Sequence, residues 1–96
     1  MPNMKAGLLL DERHVLSEDS FVELVVWQVP RRVKGSAHCY KYRLAFVVAG
    51  RCVLRYDNEP DKGDHRHWGE TESPYKFTTP ERLIADFWND VDNRRP

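Results

Sequence analysis

The sequence predicts an α+β fold: an antiparallel β-meander of four to five strands with a C-terminal amphipathic helix packed on one face. Three observations carry this expectation. Residues 21–29 (FVELVVWQV) are rich in β-branched and aromatic side chains and stop at Pro30. Residues 38–48 (HCYKYRLAFVV) alternate with a period of two, and a short turn returns the chain as another strand. Beyond residue 79 the apolar positions recur at helical spacing. Ninety-six residues suit one domain, spanning 1–96, and a hydrophobic fraction of 41% suits a packed core.

Residues 6–15 (AGLLLDERHV) read as a partly regular first strand, ended by the polar cluster Ser17-Glu18-Asp19-Ser20. In the second strand Phe21, Val25, Trp27 and Val29 share one face, and Val22, Leu24 and Val26 share the other. A strand apolar on both faces sits mid-sheet with cover on each side. The helix covers one side. An oligomer, a bound partner or residues 1–20 folding across the sheet are the candidates for the other, where Val22, Leu24 and Val26 lack an assigned cover. After the basic segment PRRVKGSA, the third strand sends Tyr40, Tyr42, Leu44, Phe46 and Val48 to one face, and Lys41, Arg43, Ala45 and Val47 to the other.

Ala49-Gly50-Arg51 reads as a three-residue loop with a bulge, leading into Cys52–Asp57. That register pairs Val48 with Cys52, Phe46 with Leu54, Leu44 with Tyr56, Arg43 with Asp57 and Arg55 with Ala45. Residues 58–64 read as a loop, His65–Trp68 as a short strand, and Tyr75-Lys76-Phe77 as a few extended residues. Thr79 is a good N-cap, Pro80 suits the first helical position and Glu81 the first turn. Leu83, Ile84, Phe87, Trp88 and Val91 form the apolar stripe, and Asp86, Asn89, Asp90 and Asp92 lie off it.

The formal net charge is zero but unevenly spread: residues 28–68 carry nine Lys/Arg against four acids, and the rest carries six against eleven. A basic middle between acidic ends permits contact with a phosphate backbone without demanding it. No secretory segment or 18-residue apolar run is present, so a cytoplasmic protein with no membrane contact is expected. Cys39 and Cys52 are then expected as two reduced thiols.

Functional side chains are densest in the polar stretch Asp57–His67. His65 and His67 form an H-x-H pair that points the same way on a strand, with Cα atoms about 6–7 Å apart. Imidazoles transfer protons near neutrality. Metal-independent RNA cleavage needs a base for a 2′-hydroxyl, an acid for the leaving oxygen and cations for the phosphorane. His65, His67, Lys62, Arg66 and Asp64 have the required side chains, and Lys41, Arg43 and Arg55 offer a phosphate-contacting face. The bland reading is a solvated polar loop, with those cations paired to Asp57 and Glu59. Zinc held by H-x-H with Asp64 or Cys52 is a third reading. No C-x-x-C or second His pair accompanies the motif, so no metal and no cofactor are expected. A calcium loop fails, because Gly63 stands one position late and Trp68 stands where a Glu is needed.

The combination KYRLAFVV, CVLRYDNE and KGDHRH, followed by PYKFTTPERLIADFW, resembles the TumE family of small bacterial toxins from type II toxin–antitoxin modules. The resemblance runs through residues 5–91. It includes LLLDERHVL, the strand end at Trp27, Val29 and Pro30, and the strand pair around Ala49–Cys52. The family often has Gly where Pro60-Asp61 stands. The resemblance implies a growth-inhibiting toxin neutralised by a cognate antitoxin protein. By analogy with other small toxins of sheet and helix, it extends to a ribonuclease acting through His65 and His67. The competing expectation is a noncatalytic protein that occupies a partner through the Asp57–His67 segment, and a homodimer through the uncovered sheet face is a further expectation.

Overall fold

The computed structural model describes residues 6–94. They form six strands and one helix: β1 Gly7–Ser17, β2 Ser20–Gln28, β3 Tyr40–Val48, β4 Arg51–Glu59, β5 Gly63–Trp68, β6 Thr71–Pro74 and α1 Pro80–Arg94. The strands lie in sequence order in one sheet, every neighbouring pair antiparallel. The architecture is the expected meander plus helix, with six strands instead of four to five. The extra strand is β6, which pairs with β5 from His65↔Pro74 to Trp68↔Thr71. The expected extended residues Tyr75–Phe77 follow it but are not a strand. Their rings serve the core instead: Tyr75 packs edge-on against Tyr56, and Phe77 stacks on His38 with ring centroids 3.8 Å apart.

The helix begins where the capping residues place it. Thr79 Oγ1 accepts a hydrogen bond from Arg82 N at 3.1 Å, satisfying one of the amides that a helix start leaves open. Leu83, Phe87 and Val91, one turn apart, are fully buried. They close over Val22, Leu24 and Val26 of β2, Tyr42, Leu44 and Phe46 of β3, and Leu54 and Tyr56 of β4. This corrects the expectation that Val22, Leu24 and Val26 lie on the uncovered side. Those residues are at most 1% exposed and lie in the cluster shared with the helix, so an oligomer is not needed to hide them. The open face is the odd-numbered one. It carries Phe21, Val25 and Trp27 of β2, with Lys41, Arg43, Ala45 and Val47 of β3. The described part of residues 1–20 does not fold across that face. It joins the sheet edge as β1, while residues 1–5 lie outside the described residues.

The β3–β4 register matches expectation from Arg43↔Asp57 to Phe46↔Leu54. It then shifts, pairing Val47 with Cys52 and Val48 with Arg51, so Val48↔Cys52 does not form. The connection is a two-residue turn, with Ala49 at φ 50° and Gly50 at φ 77°. Two successive positive φ values match the right-handed twist of a hairpin. The irregularity lies inside the ladder, between Phe46 and Val47, instead of at the turn.

Residues 58–64 are not the open loop expected. β4 runs through Glu59 and β5 starts at Gly63, leaving a tight turn in which Lys62 N donates to Glu59 O at 3.1 Å. The β2–β3 connection rests against this turn. Asp61 N donates to Lys34 O at 2.8 Å, and a Cβ on Gly63 (φ 75°) would lie 2.7 Å from Gly35 O. Only hydrogen at that α-carbon allows such an approach.

Ala49 occupies a left-handed conformation that a β-carbon disfavours. Replacing it with Asn, which tolerates that region and builds an Asn-Gly turn, is expected to raise unfolding free energy by about 0.5–1 kcal/mol. Urea denaturation of Ala49→Asn against the wild type reads this directly, and an unchanged or lowered midpoint would count against the turn geometry.

Candidate functional site

Strict alternation along β4 and β5 sends neighbouring residues to opposite faces. Tyr56, Asn58, Asp64 and Arg66 face the helix side, and Arg55, Asp57, His65 and His67 face the open side. Residues that the sequence groups into one cluster therefore separate into two sites.

The helix side holds a polar network. Asp64 Oδ1 accepts from His38 Nε2 at 2.8 Å, from the Tyr42 hydroxyl at 2.9 Å and from Ser36 Oγ at 3.3 Å. Asn58, fully buried, replaces the ladder where β3 and β4 stop pairing. Its Oδ1 accepts from Tyr42 N at 3.0 Å, and its Nδ2 donates to Tyr40 O at 2.7 Å. Arg66 Nη1 reaches Asp90 of the helix at 3.2 Å, and the Tyr56 hydroxyl donates to the same carboxylate. The Tyr75 hydroxyl donates to Asp86 at 2.6 Å. Asp86 and Asp90, which helical periodicity leaves off the apolar stripe, are thus the clasp between helix and sheet.

The open side holds a different set. Arg55 sits opposite His67 across the strands, and Asp57 opposite His65. The two imidazoles stand 5.2 Å apart, edge to face. Asp57 Oδ1 lies between them, 3.5 Å from His65 Nε2 and 3.7 Å from His67 Nε2. Arg55 Nε lies 3.1 Å from Asp57 Oδ2, and its Nη2 lies 3.2 Å from His67 Nε2. A guanidinium only donates, so this contact leaves His67 Nε2 as the acceptor and its proton on Nδ1, facing Glu72 at 3.9 Å. Asp57 and His65 are about 95% buried, yet Asp57 Oδ1 has no hydrogen-bond partner. Leaving such an atom unsatisfied costs about 1–3 kcal/mol.

A cavity of about 260 Å³, lined by Lys62, Asp64, His65, Glu72, Ser73 and Pro74, opens beside His65. Lys62 reaches Glu59 across the turn at 3.8 Å. Of the expected phosphate-contacting residues, Lys41, Arg43 and Arg55 share the histidine face. Lys41 Nζ donates to Asn58 O, Arg55 is paired with Asp57, and Arg43 is exposed and makes no ion pair among the described residues. The structure brings together His65, His67, Arg55 and Arg43, with Lys62 at the cavity rim; Asp64 also lines that cavity but commits its carboxylate to the helix-side network, and Arg66 faces the helix side. The residue that sequence reasoning missed is Asp57. Its signal was the hairpin register: continuing Arg43↔Asp57 through a tight turn at 60–62 places Asp57 across from His65.

Burial and acidic partners push the phenols of Tyr42, Tyr56 and Tyr75 above their ordinary value of 10.0, Tyr42 through burial and Asp64, Tyr56 through burial and Asp90, Tyr75 through burial and Asp86. The folded state therefore holds protons that the unfolded chain releases. Stability from these groups is fully present below about pH 10 and drains as pH rises beyond it. Urea midpoints measured from pH 8 to 11 are expected to fall at the alkaline end, and less steeply in Tyr56→Phe. Equal slopes for the two proteins would contradict the coupling.

Among the described residues no helix is long and apolar enough to cross a membrane. No curated protein and no solved structure matches the chain. A family model described as Toxin TumE matches residues 5–95, nearly the whole chain. With the sequence resemblance carried through β3, β4, β5 and α1, the chain belongs to the TumE toxin family.

Proposed function

We propose that this toxin cleaves RNA without a metal ion, using the open face of β3, β4 and β5, with His65 and His67 as the acid–base pair. The observation that carries the proposal is two imidazoles 5.2 Å apart on the same face as Arg43 and Arg55. His67, whose Nε2 bears the lone pair, takes the proton of a 2′-hydroxyl. The alkoxide then attacks the adjacent phosphorus. His65, between Asp57 and Glu72, holds a proton for the leaving 5′-oxygen. Arg55, Arg43 and Lys62 neutralise the phosphorane. On this reading Asp57 is a positioning residue, its negative charge lying between the two rings. Asp64 and Arg66 support the hairpin from the helix side.

A second reading has its own support. The β1–β2 half of the open face exposes Val15 at 74%, Leu8 at 48% and Trp27 at 37%. This apolar area lies at the β1 edge, with β3 and β4 between it and the histidines of β5, and suits a protein partner. In the toxin reading the cognate antitoxin covers it and the histidines together. In the noncatalytic reading the cellular target binds there.

Induced expression in bacteria, with growth and total RNA followed for wild type and the His65→Ala/His67→Ala double variant, separates the readings. The proposal expects RNA loss and growth arrest with wild type, and at least a 100-fold drop in cleavage by the purified double variant, in line with the usual size of acid–base terms. Undiminished toxicity in a folded double variant would refute the catalytic role and favour the noncatalytic protein.

A further inference from the structure

We infer that Asp57, His65 and His67 form a binding site for one divalent transition-metal ion, of which Zn²⁺ is the natural probe. Their ligand atoms all lie within 4.8 Å of one another. The carboxylate oxygen is 3.5 Å from one imidazole nitrogen and 3.7 Å from the other. Those separations are long for hydrogen bonds. They are close to the ~3.3–3.5 Å between two ligands of one tetrahedral zinc ion, given bonds of about 2.0–2.2 Å.

Three further features point to a ligand. Asp57 Oδ1 is buried and has no hydrogen-bond partner, so a positive charge placed between the rings satisfies it. His67 carries its lone pair on Nε2, the nitrogen that faces Asp57, and turns Nδ1 toward Glu72. That is the tautomer that a histidine ligating through Nε2 requires. The set comes from two adjacent strands, whose pairing holds Asp57 across from His65 without any loop having to order. Two histidines and one carboxylate suit zinc and its neighbours in the first transition row, whereas calcium and magnesium prefer oxygen. Arg55 Nη2 approaches His67 Nε2 and must withdraw from it when the ion enters, keeping its contact with Asp57 Oδ2.

The site uses the ring nitrogens that the acid–base reading needs. Resting on that reading, the inference makes zinc an inhibitor: a bound ion blocks proton transfer by both rings. Binding itself stands independently of any activity.

The test is a Zn²⁺ titration of the ¹⁵N-labelled wild-type chain, followed through the imidazole nitrogen resonances. The expected result is saturation at one ion per chain, with large shifts at Nε2 of His65 and His67 and none at His14 or His38. Shifts at His14 or His38 instead, or no saturable shift, would overturn the site. Calorimetry on Asp57→Asn is expected to show at least a tenfold weaker affinity, and wild-type affinity there would also overturn it. A parallel RNA-cleavage assay separates the two claims. Inhibition by zinc that a chelator reverses supports both. Specific binding with undiminished cleavage, or cleavage that requires zinc, keeps the metal site and refutes metal-free acid–base catalysis.

Discussion

The alternation of side chains along the β4–β5 hairpin decides where every chemically capable group of this protein goes. Asp57 and Asn58 are neighbours in the chain, and they belong to different sites. Asn58 turns inward and completes the β3 backbone with its amide. Asp57 turns outward and meets two histidines. A slip of one residue would exchange the faces, presenting Asp64 and Arg66 to solvent and driving His65 and His67 into the core. The register is held against that slip from both ends: by the Asn58 amide at the end of the β3–β4 ladder, and by the contact of Gly35 with Gly63 at the turn.

The two faces satisfy their polar groups very differently. On the helix side, carboxylates meet tyrosine, histidine, serine and arginine donors, and the helix is tied to the sheet at Asp86 and Asp90. Paired in this way, buried polar groups specify one arrangement of the core. On the open side, Asp57 Oδ1 and Arg55 Nε are buried without hydrogen-bond partners, although the two side chains touch. Arg66 Nε shares that condition on the helix side. An incompletely satisfied cluster beside an opening, on a rigid sheet, is where local rules give way to function.

Much of this was legible in the sequence, because alternation, capping and helical spacing are local signals. Thr79 and Pro80 mark the helix start, and the register from Arg43 to Phe46 follows from keeping apolar beside apolar. Other features depend on distant contacts. Val22, Leu24 and Val26 look no more buried in sequence than Phe21, Val25 and Trp27. Only the choice of face by the helix distinguishes them. Tyr75 and Phe77 resemble strand residues, but their rings are held by Asp86 and His38, far away in the chain. Asp64 and Arg66 look catalytic beside two histidines for the same reason that H-x-H looks like a pair: residues i and i+2 share a face, and the one between them does not.

The central claim is that chemistry belongs to the open face and stability to the helix face. The most direct test compares Arg43→Ala with Arg66→Ala, removal of the same cation from the open face and from the helix face of one sheet. Toxicity on induction and the melting temperature of the purified protein are measured for both. The account predicts that Arg43→Ala, which breaks no ion pair among the described residues, loses toxicity while melting near the wild-type temperature. It predicts that Arg66→Ala melts several degrees lower, as expected for about 1–2 kcal/mol, and remains toxic below its transition. The reverse pattern would contradict it.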